Sequence, residues 1–80
     1  MEKDVLNIWK ERIEKESKHG DKKKACDAAG STASTYLNAM KREKFDDLTD
    51  GEQRTLQALI EILDERKEKQ QKLKEQYATN

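Results

Sequence analysis

Proline is absent from the sequence, glycine occurs three times, and cysteine, histidine, tryptophan and phenylalanine occur once each. Without proline, and with so little glycine, nothing breaks long helices from within. A single cysteine, Cys26, excludes an intrachain disulfide, and with the lone His19 it makes no zinc set. Cys26 reads as a small core residue, and His19, beside Gly20, as a solvated helix-end residue. Apolar residues make up only 32% of the chain, with four aromatics among them, so no large core can form. No apolar run approaches the length of a membrane span, and no signal-peptide pattern is present, so a soluble, cytoplasmic protein is expected. Catalytic groupings are missing too. The adjacent Asp46 and Asp47 have no nucleophile or base beside them, and there is no glycine-rich phosphate loop. The chain reads as neither an enzyme nor a carrier of metal or cofactor.

What is abundant is charge, at 42% of residues, together with the strong helix formers Glu, Lys, Gln, Ala and Leu. Eighty residues suit one all-α domain, residues 1–80, whose thin core calls for long amphipathic helices, a partner, or both. The formal net charge is zero, but it is unevenly spread. Between Lys18 and Lys44 stand seven basic residues against three acidic ones, a local excess that would attract an anionic partner.

Residues 1–20 are expected to form the first helix. Val5, Leu6, Ile8, Trp9 and Ile13 recur at spacings of three and four, with Asp4 near the favourable end of the dipole and Gly20 as a stop. The stripe is a natural cover for the helices that follow, Trp9 contributing most to burial.

Residues 21–44 hold the candidate site. Asp21 suits an N-cap for a helix from Lys22 to Ala29, and Gly30 suits the positive φ that ends it. Ser31 and Thr32 can cap the next helix, from Ala33 to about Glu43. Ala25, Ala29, Tyr36 and Ala39 should face inward, with Cys26 or Met40 filling gaps; such small residues let two helices cross closely about a short turn. Outward would lie Thr32, Ala33, Ser34 and Asn38, then Lys41 and Arg42. An asparagine amide can bond adenine N7 and N6 in the major groove, and an alanine can meet a thymine methyl. Thr32, Ser34 and Thr35 are candidates for phosphate or base edges, although capping or burial would compete for Thr32 and Thr35. Lys22, Lys23, Lys24, Lys41 and Arg42 are candidate phosphate contacts.

The order Ala25-Cys26-x-x-Ala29-Gly30-Ser31-x-x-x-Thr35-Tyr36-x-x-Ala39 resembles the helix-turn-helix of lambda-repressor-like transcriptional regulators. Cys26, Tyr36 and Ala39 occupy the places where that family has its small and apolar residues, four before and six and nine after the turn glycine. Ser31 departs from the pattern, which puts an apolar residue straight after the glycine, and so does a single long helix in place of two short ones. The resemblance covers about a quarter of the chain. It implies sequence-specific binding of double-stranded DNA, with residues 33–43 in the major groove, and a role in transcription regulation.

Phe45 and Leu48 plug the link to the last helix, where Thr49-Asp50-Gly51-Glu52 fits a capping box. Leu56, Leu59, Ile60, Ile62 and Leu63 then form a broad apolar face, followed by a weak heptad continuing to Leu73 and Tyr77. A helix over 49–77 would be roughly 42 Å long at about 1.5 Å per residue. It would overreach so small a globule, which makes it a candidate dimerisation arm. Leu56, Leu59, Leu63, Leu73 and Tyr77 are its expected interface residues in a homodimer. The expectation is therefore a four-helix, all-α domain with a helix-turn-helix in helices 2 and 3. The alternatives are a protein-interaction module docking through the long last helix, and a nucleoid-type binder acting through charge alone.

Overall fold

The computed structural model describes residues 3–78. The two residues at each end, which the expected first helix and the domain bounds include, lie outside the described residues. Within them the chain is all helical: α1 (Val5–Glu16), α2 (Asp21–Ala29), α3 (Ala33–Lys41) and α4 (Asp50–Ala78), with a single 3-10 turn at Phe45–Asp47. No helix among them is long and apolar enough to cross a membrane. The long α4 is the scaffold, against which α1, α2 and α3 each pack.

One apolar cluster holds the four helices together. Leu6 and Ile13 come from α1, Ala25 and Cys26 from α2, Tyr36 and Ala39 from α3, and Leu56, Leu59, Ile60 and Leu63 from α4. Trp9 and Phe45 meet edge to face at the margin, with ring centroids 5.5 Å apart and planes 80° apart. Val5 and Ile8, expected on the inner stripe, stay nearly half exposed. The α1 face that α4 covers is therefore narrower than the stripe in the sequence.

The helix ends show which local signals were sufficient. The capping box at Thr49 forms as expected: Thr49 N–H donates to Glu52 Oε1 at 3.0 Å, and Glu52 N–H donates to Thr49 Oγ1 at 3.2 Å. Gly30 ends α2 at φ 68°. Asp4 caps α1, its Oδ1 accepting from Leu6 N–H at 2.8 Å, and it also accepts Phe45 N–H at 2.9 Å, fastening the α3–α4 link to α1. Two boundaries are corrected. The first helix stops at Glu16 and not at Gly20, which instead stands at φ 91° as the entry to α2. Helix α3 stops at Lys41, two residues short of Glu43.

Asp21 is also corrected, because it is the first residue of α2 and not its N-cap. Its buried carboxylate accepts Lys18 N–H at 2.7 Å and a guanidinium N–H of Arg66, on α4, at 2.5 Å. Arg66 also donates to Glu16 O at 3.2 Å, so one side chain ties the end of α1 and the start of α2 to α4. Arg12 adds a second tie, bonding Glu16 on its own helix and Asp64 on α4.

The expected dimer residues divide. Leu56 and Leu59 are fully buried and Leu63 is 2% exposed, all within the chain's own core, so they are not an interface. The apolar seam is consumed by α1, α2 and α3. Leu73 and Tyr77 lie further along α4, at 49% and 69% exposure, in a stretch from Lys67 to Ala78 that is exposed throughout.

Candidate functional site

The α2–α3 corner is built from a three-residue turn. With Gly30 in the left-handed region, Ser31 N–H reaches back to Cys26 O at 2.9 Å and closes the end of α2. Thr32 is extended and caps α3, its Oγ1 accepting Thr35 N–H at 3.4 Å and lying 3.3 Å from Thr35 Oγ1. The Cys26 thiol points at Thr32 O at 3.5 Å. Ser31 does not cap. Its hydroxyl pairs at 2.6 Å with that of Thr55, a fully buried α4 residue whose own proton goes to Gly51 O at 2.8 Å. A matched polar pair thus replaces the apolar contact that an apolar residue after the glycine would make.

The inner face of α3 is Tyr36 and Ala39, with Met40 partly buried. Burial pushes the Tyr36 phenol above its usual pKa, with the Cys26 thiol adding to the effect. Lys22 Nζ sits 5.2 Å from the centre of the Tyr36 ring, a cation–π contact that lays this lysine across the corner.

The outer face carries Ala33, Ser34, Leu37, Asn38 and Lys41, all exposed. At four-residue spacing, Ala33, Leu37 and Lys41 form one stripe and Ser34 and Asn38 a second beside it. A concavity of about 480 Å³ runs between α2 and this face, with Cys26, Tyr36, Ala33 and Leu37 in its lining and Lys22, Lys23 and Asp27 around it.

The structure brings some expected site residues together and separates others. Lys22 and Lys23 border the groove that Ala33 and Leu37 line. Lys24, a further 100° round α2, faces away toward Asp21, whose carboxyl it helps to hold below the usual range after the larger effects of Arg66 and the Lys18 amide. Thr32 and Thr35 are engaged with one another at the cap. Arg42 is the clearest correction. Its guanidinium forms a two-pronged pair with the buried Glu52 carboxylate, Nε to Oε1 at 3.1 Å and an NH2 group to Oε2 at 3.2 Å. Its backbone oxygen accepts from Lys10 Nζ. Arg42 is thereby a clasp between the end of α3 and the start of α4, and it lowers the Glu52 pKa, with the Thr49 amide second. Leu37, 56% exposed in the middle of the outer face, was missed. The sequence signal for it is an apolar residue on the polar arc, one step past the inward Tyr36.

No protein-family model matches the chain, and neither a curated protein nor a solved structure matches it.

Proposed function

We propose that the chain binds duplex DNA as a helix-turn-helix regulator of the lambda-repressor-like kind, acting in the cytoplasm with α3 in the major groove. The observation that carries this reading is the outer face of α3. Ser34, Asn38 and Lys41 stand exposed on it, and no hydrogen bond or ion pair among the described residues takes up their side chains. The groove beside it is bordered by Lys22 and Lys23. Asn38 supplies a paired donor and acceptor for an adenine edge, and Ser34 a hydroxyl for a base or phosphate. Lys22, Lys23 and Lys41 supply the attraction to phosphate. Arg42 has no part in it, because Glu52 already holds its guanidinium.

One α3 helix reads only a few base pairs, so a homodimer on paired half-sites would multiply discrimination. With Leu56, Leu59 and Leu63 in the monomer core, such pairing falls to the exposed end of α4 near Leu73.

The test is fluorescence anisotropy with mixed-sequence duplex across a salt series, comparing wild type with Lys22→Ala, Lys23→Ala and Lys41→Ala. Affinity should fall steeply with salt, and each lost phosphate contact should make the logarithmic slope shallower by about 0.9. Absence of binding at low salt would overturn the DNA reading and leave docking through α4 as the function to pursue.

A further inference from the structure

Leu37 is one of five large apolar side chains left exposed among the described residues, and the one that stands on the outer face of α3. Single exposed leucines are ordinary on protein surfaces and need no cause. This one differs in its setting. It stands one turn beyond Ala33, both lining the same concavity, and one turn before Lys41. Cys26 and Tyr36 make the floor apolar, and Lys22 and Lys23 give the rim positive charge. Asp27, the one acidic side chain in that lining, offsets part of the charge and leaves a net positive border. An apolar strip inside a basic border, next to an exposed asparagine, complements a surface that is apolar in one place and anionic around it. The major groove at an A·T step is such a surface, since thymine presents a C5-methyl there and adenine its N6 and N7.

We infer that Leu37, with Ala33, reads thymine C5-methyl groups beside an adenine read by Asn38, which makes the preferred half-site A·T-containing and methyl-dependent. This rests on the DNA-binding reading and adds to it a specificity-determining residue and the chemical group it recognises. The spacing fits. Residues four apart on a helix are separated by roughly 6 Å along the axis, close to two base steps of about 3.4 Å each. Ala33 and Leu37 can therefore address methyls about two steps apart. Leucine offers no hydrogen bond, so the discrimination is for the methyl itself and not for the thymine carbonyl.

The experiment starts from a duplex selected by the wild-type protein out of a randomised pool. Each thymine in that duplex is replaced in turn by deoxyuridine, which removes the methyl and leaves every hydrogen-bonding group in place. Wild-type affinity should drop about fourfold at one or two positions, the worth of one buried carbon. Leu37→Ala should abolish that drop at the Leu37-read position while keeping the wild-type salt slope on mixed-sequence duplex. Leu37→Gln, equally compatible with an exposed site, should do the same. An unchanged thymine-to-deoxyuridine ratio in both variants, or no penalty at any thymine for wild type, would overturn the inference while leaving DNA binding intact. Failure of wild type to bind any duplex would instead overturn the DNA reading, and the methyl readout with it.

Discussion

Replacing Leu59 by alanine tests whether the leucines of α4 belong to the core of one chain or to a contact between two. Leu59 is fully buried among side chains from the same chain. Removing three carbons at about 0.8 kcal/mol each forfeits roughly 2.4 kcal/mol of transfer energy. The incompletely collapsed cavity raises the total to about 3 kcal/mol. A domain of this size has roughly 4–12 kcal/mol of stability in all, at about 0.05–0.15 kcal/mol per residue. The substitution therefore consumes a quarter or more of it and lowers the Tm by roughly 12–24 °C. Urea unfolding followed by far-ultraviolet circular dichroism, at two widely separated protein concentrations, reads the effect. The loss should be the same at both. Leu73→Ala, on the exposed end of α4, should change the stability of the unpaired chain, read at the lower concentration, by no more than about 0.5 kcal/mol. A loss below about 1 kcal/mol for Leu59→Ala, or one that disappears at high concentration, would refute the assignment to the core.

Three further outcomes follow from the same geometry. Gly30→Ala should cost about 1–2 kcal/mol by urea unfolding, because φ 68° burdens any residue with a Cβ although the space around it is open; Gly30→Asn should cost less. Stability should fall as the solution is acidified: Asp21 and Glu52 titrate below their ordinary values of 3.8 and 4.5, Asp21 chiefly through Arg66 and Glu52 chiefly through Arg42. The unfolded chain binds those protons first, so their contribution is complete above about pH 5 and lost as pH drops through the folded values; a combined Asp21→Asn, Glu52→Gln variant should show a flatter pH profile. Arg42→Ala should raise the Glu52 pKa, read by carboxyl-carbon NMR, and lower stability, while leaving the salt slope of the proposed DNA binding unchanged. A shallower slope in that variant would return Arg42 to the phosphate contacts.

How much of this was legible in the sequence depended on how far away each residue's partner lay. Thr49 and Glu52 cap one another across three residues, and Gly30 answers to its own backbone, so both were readable locally. Asp21 and Arg42 were assigned to a cap and to a phosphate because their real partners, Arg66 and Glu52, stand 45 and 10 residues away. Nothing in the local pattern names such a partner. Leu56, Leu59 and Leu63 were misread for a different reason. Periodicity says that a face is covered but not by what, and a core seam and a coiled-coil seam share nearly the same spacing. Leu37 is not legible as a site residue because an apolar side chain on an otherwise polar arc carries no donor, acceptor or charge to mark it.

These corrections sharpen the candidate surface. A chain with so thin a core fastens its helices with polar groups, and the structure assigns many of them. Arg66 joins α1 and α2 to α4, Arg12 joins α1 to α4, Arg42 joins α3 to the start of α4, and Ser31 meets Thr55 beneath the turn. Three of these ties, through Asp21, Ser31 and Arg42, fasten α2, the turn and the end of α3 to α4, and together they set the angle at which the corner is presented. On the opposite side no comparable use is made of Ser34, Leu37, Asn38 or Lys41. Among the cations that drew attention to residues 18–44, Arg42 is committed to Glu52 and Lys24 lies toward Asp21, while Lys22, Lys23 and Lys41 border the outer face. A corner braced on one side and uncommitted on the other is what the proposed presentation of α3 to a DNA groove would require, since any helix that moved on its scaffold would pay in ordering for every base it read.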